Sequence, residues 1–355
     1  MPPGRLRVGI VGCGWVAREG HLPALAGIED VEVVAIADRD RLRLDRVGAA
    51  FGVAARYEDH RGLVEDSGVD AVAVCVPAEH HVEVAEAAAL AGKHVLLEKP
   101  PALDLEEWDR LAAAVDRAGV GFMLGMCMRW HEAFRATRDI VRAGALGQVQ
   151  AVRTVLSNDW LNEPDAPDWR RERRRGGGAL VEMGVHHLDL WRFLLDAEVE
   201  EVVALAQGDD ESLAVSGRME SGVPTSSLFS HRTGHVNEVE VYGDEGLVTA
   251  SPYSAPRLLP VSMRPWSVRA KLRNAGAALS VQHAVRGRRQ GGFFVAAFAA
   301  EWRQFADAVT GRGPVEVGLD SGRRLLQVLL ATAASTTEGR AVRCADAPPA
   351  LAPAD

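Results

Sequence analysis

Three groups of residues in this chain have types and spacings suited to chemistry. The first is Gly12-Cys13-Gly14-Trp15-Val16-Ala17, a G-x-G-x-x-A run. Gly12 permits a tight turn, Gly14 lets the backbone approach a pyrophosphate, and Ala17 is small enough for a helix to pack on a strand. A helix opening at Trp15 and Val16 would offer free N–H groups to phosphates. Asp38 gives the run its meaning. An acid about twenty residues on can bind the hydroxyls of an adenosine ribose. It also repels a ribose phosphate, so NAD is expected ahead of NADP, with Arg39 beside it able to offset part of that repulsion. The competing reading makes Asp38 a plain helix cap.

The second group is Pro77-Ala78-Glu79-His80-His81 together with Glu98-Lys99-Pro100, each directly after an apolar segment. Lys93, Lys99 and Lys271 are the only lysines of this arginine-rich chain. A lysine retained beside a buried strand suggests a task that arginine does not serve. In the third group, Glu182, His186 and Asp189 fall at i, i+4 and i+7 and would share one helix face amid Leu180, Val185, Leu188 and Leu190. An imidazole flanked by acids suits general acid–base work. A core histidine paired to acids is the structural alternative, and His187, a quarter turn away, is expected to be structural. With no HExxH pattern and no further His/Asp cluster, no metal is expected.

The rest of the chain must position these groups. The 355 residues imply two domains, and 47% hydrophobic with 25% charged residues is ordinary for a folded protein. A net charge of −9 disfavours nucleic acid and anionic membranes as partners and favours a small molecule. The four cysteines, Cys13, Cys75, Cys127 and Cys344, form no CxxC pair and fit a reducing compartment. No apolar run approaches the ~18 residues of a membrane span. Gly9, Gly12 and Gly14 interrupt the only N-terminal apolar segment, so no signal peptide is expected and a cytoplasmic location is.

Strand and helix alternate up to about residue 125. Strands are expected at Leu6–Val11, Val31–Ala37, Ala71–Val76, His94–Leu97 and Val120–Leu124, with a weak one at Ala54–Tyr57. Helices are expected up to Ala26 and over Asp40–Phe51, His81–Ala91 and Leu105–Ala118. Continuous apolar strands with helical crossovers imply a doubly wound parallel sheet of Rossmann type. Ligands bind beyond the carboxyl ends of such strands. The glycine run, Pro77–His81 and Glu98–Lys99 therefore belong on one edge. Residues 126–346 read as a second domain. It contains helices at Glu132–Ala143 and Ala179–Leu195, a strand at Val149–Leu156, and five short strands over 200–250 joined by tight turns, which argues for an antiparallel sheet. Two helices follow, at Val295–Val309 and Ser321–Thr337. Residues 251–290 give no clear pattern, and 347–355 read as a disordered tail. The polar loop Ser157–Arg175 feeds the Glu182–Asp189 helix. Asn158, Asp159, Trp160 and Arg129 are its candidate contacts for a polyol. The arginines from Arg170 to Arg175 read as a basic patch or intersubunit contact rather than a phosphate grip.

At this point the sequence resembles the Gfo/Idh/MocA family, the glucose–fructose oxidoreductase and inositol dehydrogenase group. The resemblance runs through RVGIVGCGWVA, VPAEHHVEVAEAAALAGKHVLLEKPPAL, MRWHEAF, GALGQV, GGGALVEMGVHHLDLWRFLL, VEVYGDEG, FAAEWRQFADAV and ATAASTTEG. It implies a Rossmann domain followed by an α/β domain on a large, mostly antiparallel open sheet that serves as the interface of a homodimer or homotetramer. It also implies NAD(P)-dependent oxidation of a ring hydroxyl on a sugar, sugar derivative or cyclitol. In that family Lys99 would be the catalytic lysine of Glu-Lys-Pro and His186 the catalytic histidine. Glu182 stands where the family usually has aspartate. His81 would lie near the nicotinamide, and Trp169-Arg170 would touch cofactor or substrate. The resemblance implies that His186 accepts the hydroxyl proton, Lys99 stabilises the alkoxide, and Glu182 and Asp189 orient the pair. An NAD-dependent glycosidase and a catalytically silent nucleotide-binding regulator are the alternatives.

Overall fold

The protein is described from a computed structural model, which covers residues 5–162, 168–208, 210–260 and 294–351. In chain order the N-terminal elements are β1 (Leu6–Val11), a wide π-helical turn (Ala17–His21) continuing as α1 (Leu22–Leu25), β2 (Val31–Ala37), α2 (Arg41–Phe51), β3 (Ala55–Tyr57) and α3 (His60–Val64). Next come β4 (Ala71–Val74), α4 (His81–Leu90), β5 (His94–Glu98), α5 (Leu105–Ala118) and β6 (Phe122–Gly125). Then α6 (Glu132–Arg142), β7 (Val149–Ser157), a second π-helical turn (Leu180–Gly184) and α7 (Val185–Leu195) follow. The strands β8 (Val199–Gln207), β9 (Ser212–Met219), β10 (Pro224–Ser230), β11 (Val236–Gly243), β12 (Gly246–Ser251) and β13 (Ser254–Pro260) precede α8 (Val295–Val309), α9 (Leu319–Glu338) and β14 (Val342–Arg343).

The chain divides into two compact units. Residues Met1–Cys127 and Val295–Leu326 form one, and Met128–Phe294 with Gln327–Asp355 form the other. The first crossing lies within a few residues of the expected boundary at 125. The return of α8 to the first unit was not expected. Its apolar residues face the first helix: a Cβ on Gly20 would sit 2.7 Å from the Phe298 ring. No sequence periodicity announces a partner nearly 280 residues away, which is why a linear reading places α8 with its neighbours in the chain.

The first unit holds a parallel sheet in the order β3-β2-β1-β4-β5-β6. Its central strands are buried along their length, as their unbroken apolar sequences require. The strand order reverses between β1 and β4, which opens a crevice at their carboxyl ends. The flanking helices start and stop on chemical signals. Asp40 caps α2 by accepting from the Arg43 N–H, and Gly52 ends it at φ 71°. Asp104 and Gly119 do the same for α5.

The second unit holds an eight-stranded sheet in the order β13-β12-β11-β7-β10-β9-β8-β14. All its pairings are antiparallel except β7 with β10. Period-two alternation puts Val202, Ala204, Leu213, Val215, Phe229, Val239 and Val241 on the buried face. Trp191 of α7 packs there, so closely that a Cβ on Gly217 would lie 2.7 Å from its ring. The opposite face exposes Leu205 (72%), Leu228 (47%), Val203 and Tyr242. Strand β13 falls at the start of a stretch that gave no pattern, and the rest of that stretch lies outside the described residues. The tail expected to be disordered is ordered as far as Leu351, which is buried; its last four residues also lie outside the described residues. Among the described residues no helix is long and apolar enough to cross a membrane.

Candidate functional site

In the first unit the glycine run forms the turn after β1. Gly12 sits at φ 97°, and a Cβ there would lie 2.5 Å from the Cys75 carbonyl oxygen, so only glycine fits. A Cβ on Gly14 would meet nothing within 4 Å. The turn therefore presses on the sheet on one side and leaves open room beside the helix start on the other, which fits a pyrophosphate. Asp38 at the end of β2 is not the cap of α2, since Asp40 is. One Asp38 oxygen accepts the Cys13 N–H at 2.8 Å and lies 3.3 Å from Arg43, and the other accepts the Asp40 N–H at 2.8 Å. The acid ties the glycine turn to β2 and, with Arg39 exposed beside it, stands where a ribose edge would come. Trp15 is 55% exposed over the turn.

Beyond β4 and β5, Pro77 is exposed and Lys99 half-buried. His81 was expected near the nicotinamide. It is buried between the two loops, with Nδ1 2.9 Å from the Pro100 carbonyl and Nε2 2.9 Å from the Val76 carbonyl, and a neutral ring donates to one of them at a time. Burial is the main force on it and pushes its basicity down. Glu98 likewise points inward rather than toward a cofactor. One oxygen lies 3.0 Å from His21 Nε2 and the other accepts the Lys99 N–H at 3.1 Å. Burial pushes its carboxyl up, but the His21 hydrogen bond and the charge of Lys99 outweigh this and hold it below the usual range. Glu301 of α8 lies beside them, fully buried. Burial and the negative charge of Glu98 push Glu301 well above the usual carboxylate range, which favours its neutral form.

In the second unit the helix carrying these residues runs from the wide π turn, which holds Glu182, into α7, which holds His186 and Asp189. The π turn departs from the 3.6-residue spacing between Glu182 and His186, while His186 and Asp189 keep the regular i, i+3 spacing within α7. Asp189 is buried, and both its oxygens are taken. Arg129 grips them at 2.5 and 2.6 Å, and Arg192 adds a contact at 3.1 Å. The expected substrate contacts Arg129 and Asp189 are thus a buried ion pair holding α7. Glu182 instead lies 3.2 Å from Arg170 and 3.3 Å from His231. Asn158 is also an internal support: its amide oxygen accepts from His231 Nδ1 at 2.8 Å and from the Trp160 N–H, while its nitrogen faces Met183 sulfur. Trp160 stacks on His231, and the Arg170 guanidinium lies over the Trp160 ring at 5.1 Å from its centroid. His186 is 8% exposed.

His231 was missed because a single histidine in a strand–turn segment carries no spacing signal. His187 behaves as expected: burial pushes it down to about 4, and its Nε2 meets Asn237. The arginine run is largely consumed internally. Arg173 pairs with buried Asp210 at 3.1 Å, Arg171 reaches the Leu161 carbonyl, and Arg174 and Arg175 lie near Glu172.

Comparison with known proteins settles the family. Residues 6–126 match the oxidoreductase family with an NAD-binding Rossmann fold, and residues 134–249 match the GFO/IDH/MocA C-terminal domain. The chain belongs to the Gfo/Idh/MocA oxidoreductase family. Among its relatives, myo-inositol 2-dehydrogenase of Thermotoga maritima is 28% identical over 95% of this chain and 98% of its own length. A dTDP-3,4-didehydro-2,6-dideoxy-alpha-D-glucose 3-reductase of Actinomadura kijaniata is 30% identical over 90% and 92%. An uncharacterized oxidoreductase of Rhizobium meliloti, ORF334, is 36% identical, but the match spans 60% of that protein and 58% of this chain. A probable dehydrogenase from Thermotoga maritima superposes with a TM-score of 0.79 at 26% identity, over 97% of this chain and all of the other. As a Gfo/Idh/MocA oxidoreductase the protein uses NAD, and the open side of Gly14 together with Asp38 suits that cofactor.

The neutral form favoured at Glu301 gives a pH test. An acid whose proton is held more tightly in the folded state contributes stability that is present below the unfolded value, about 4.3, and lost as pH rises. Glu301→Gln cannot ionise. Its melting temperature should exceed that of the wild type at pH 8 and match it at pH 4. A variant that melts at or below the wild type at both pH values contradicts the neutral acid.

Proposed function

We propose that the protein oxidises a ring hydroxyl of a sugar, sugar derivative or cyclitol, with Lys99 and His186 as its proton-handling groups. The observation that carries the reading is the anchoring of Lys99 on the same sheet edge as the glycine turn. Its amide is held by Glu98, and the next residue's carbonyl is held by His81. NAD, when bound, supplies the hydride acceptor. His186 takes the hydroxyl proton as general base, and the Lys99 ammonium stabilises negative charge on the substrate oxygen. Glu182, fixed by Arg170 and His231, presents its carboxylate near the start of α7 in the place of the usual aspartate. The names of the relatives, which include inositol dehydrogenases, a D-apiose dehydrogenase and nucleotide-sugar reductases, support the substrate class. Cys13, Cys75, Cys127 and Cys344 are all buried, which supports a reducing, cytoplasmic compartment.

The direct test is NAD reduction across a panel of inositols, free hexoses, aminocyclitols and nucleotide sugars, with Lys99→Ala and His186→Ala compared to the wild type. Lys99→Ala should lose roughly a hundredfold or more in kcat and still bind NAD. Unchanged turnover in either variant contradicts the assignment of that residue. Cleavage of a glycoside with no NADH formed would instead support the glycosidase reading.

We further propose that the chain forms a homodimer or homotetramer through the open face of the eight-stranded sheet. Leu205, Ala214, Leu228 and Val155 stand in register across four strands there, an apolar row where a monomer would carry polar side chains. Light scattering should find a dimer or tetramer at micromolar concentration and a monomer for Leu205→Glu/Leu228→Glu. A monomeric wild type contradicts the interface.

A further inference from the structure

Four polar side chains of the first unit are buried together and take no part in the chemistry above: His21 of the helix after the glycine turn, Glu98 at the end of β5, and Glu301 and Trp302 of α8. His21, Glu301 and Trp302 are fully buried, and Glu98 is 6% exposed. Ligand atoms of His21, Glu98 and Glu301 lie within 4.8 Å of one another, a spacing that would admit a metal ion. The hydrogen bonding argues against one. Trp302 Nε1 lies 3.0 Å from His21 Nδ1. An indole N–H is a donor only, so Nδ1 is the acceptor and the ring proton sits on Nε2. Nε2 faces Glu98 at 3.0 Å. A protonated nitrogen is no metal ligand, and a metal-bound histidine uses its other nitrogen as a donor, the reverse of what Trp302 demands.

The same bonds instead form a directed chain. Trp302 donates to His21, His21 donates to one Glu98 oxygen, and the Lys99 N–H donates to the other. Packing fixes its members. Phe298 meets the His21 ring edge-on at 4.8 Å, and Phe305 does the same to Trp302 at 5.6 Å. Gly125 on β6 leaves room for the carboxylate, since a Cβ there would lie 3.3 Å from the Glu98 oxygen. We infer that Trp302 and His21 are positioning residues for Lys99, holding through Glu98 the backbone from which its ammonium projects. The inference rests on the reading of Lys99 as a catalytic group. It assigns α8, remote in sequence, a task in the reaction.

The test uses His21→Leu, His21→Gln and Trp302→Phe in the full-length protein, each checked for folding by circular dichroism. Glutamine carries an acceptor oxygen and a donor nitrogen, so it can replace the imidazole link where leucine cannot. The first readout is amide hydrogen exchange in peptides spanning Leu97 to Pro100, which is independent of activity. The second is kcat and the KM for NAD with myo-inositol as probe. His21→Leu and Trp302→Phe should exchange about tenfold faster than the wild type at this segment. They should lose roughly tenfold to a hundredfold in kcat, while the KM for NAD stays within about twofold. His21→Gln should recover both readouts. Unchanged exchange in folded His21→Leu, or a folded His21→Gln as defective as His21→Leu, overturns the inference. Where exchange responds as expected but Lys99→Ala keeps full turnover, the positioning chain stands and the catalytic role of the lysine falls.

Discussion

One buried carboxylate organises the first unit. Glu98 sits at the end of a central strand, nearly sealed from water, and remains charged because donors reach it from separate parts of the chain. A buried charge without such partners is costly, and a hydrogen bond from a neutral donor to a buried charge is worth about 1.5–3 kcal/mol. The helix after the glycine turn therefore donates directly to the carboxylate at the end of β5, and helix α8 is tied to it through Trp302 and His21. Glu301 beside it is pushed toward its neutral form, because a second negative charge this close in a dry interior is disfavoured. The cofactor turn and the lysine loop inherit their rigidity from that constraint.

A second, independent lattice of charges does comparable work in the other unit. Asp189 is clamped by Arg129 and Arg192, Asp210 by Arg173, and Glu182 by Arg170 with His231. Helix α7 can then display His186 from a scaffold whose carboxylates each face an arginine. The extra methylene of Glu182, relative to the usual aspartate, fits this arrangement, since its carboxylate sits between a guanidinium and an imidazole.

Much of the first unit was legible in the sequence because its signals are local. β1, β2 and α5 stand at the expected residues, and the glycine turn is where its spacing placed it. Asp38 could be placed but not understood, since its hydrogen bonds to the glycine turn depend on how two strand ends meet. Helix face arithmetic did not foresee the π turn that holds Glu182, nor the arginines from other segments that reach Glu182 and Asp189. His21, His231, Glu301 and Trp302 were invisible for a related reason. Each gains its meaning from a partner far along the chain, and neither composition nor periodicity records such pairings. His81 and Asn158 were noticed for their chemistry, yet the structure spends them on holding loops in place.

The most direct measurement is the protonation pattern of the His21 ring, read by nitrogen NMR on protein labelled at histidine, with His21→Gln used to assign the signal. The account requires the proton on Nε2, directed at Glu98, and a bare Nδ1 receiving the indole N–H. A ring protonated on Nδ1 would break the chain from Trp302 to Glu98, and with it the constraint on which the arrangement depends.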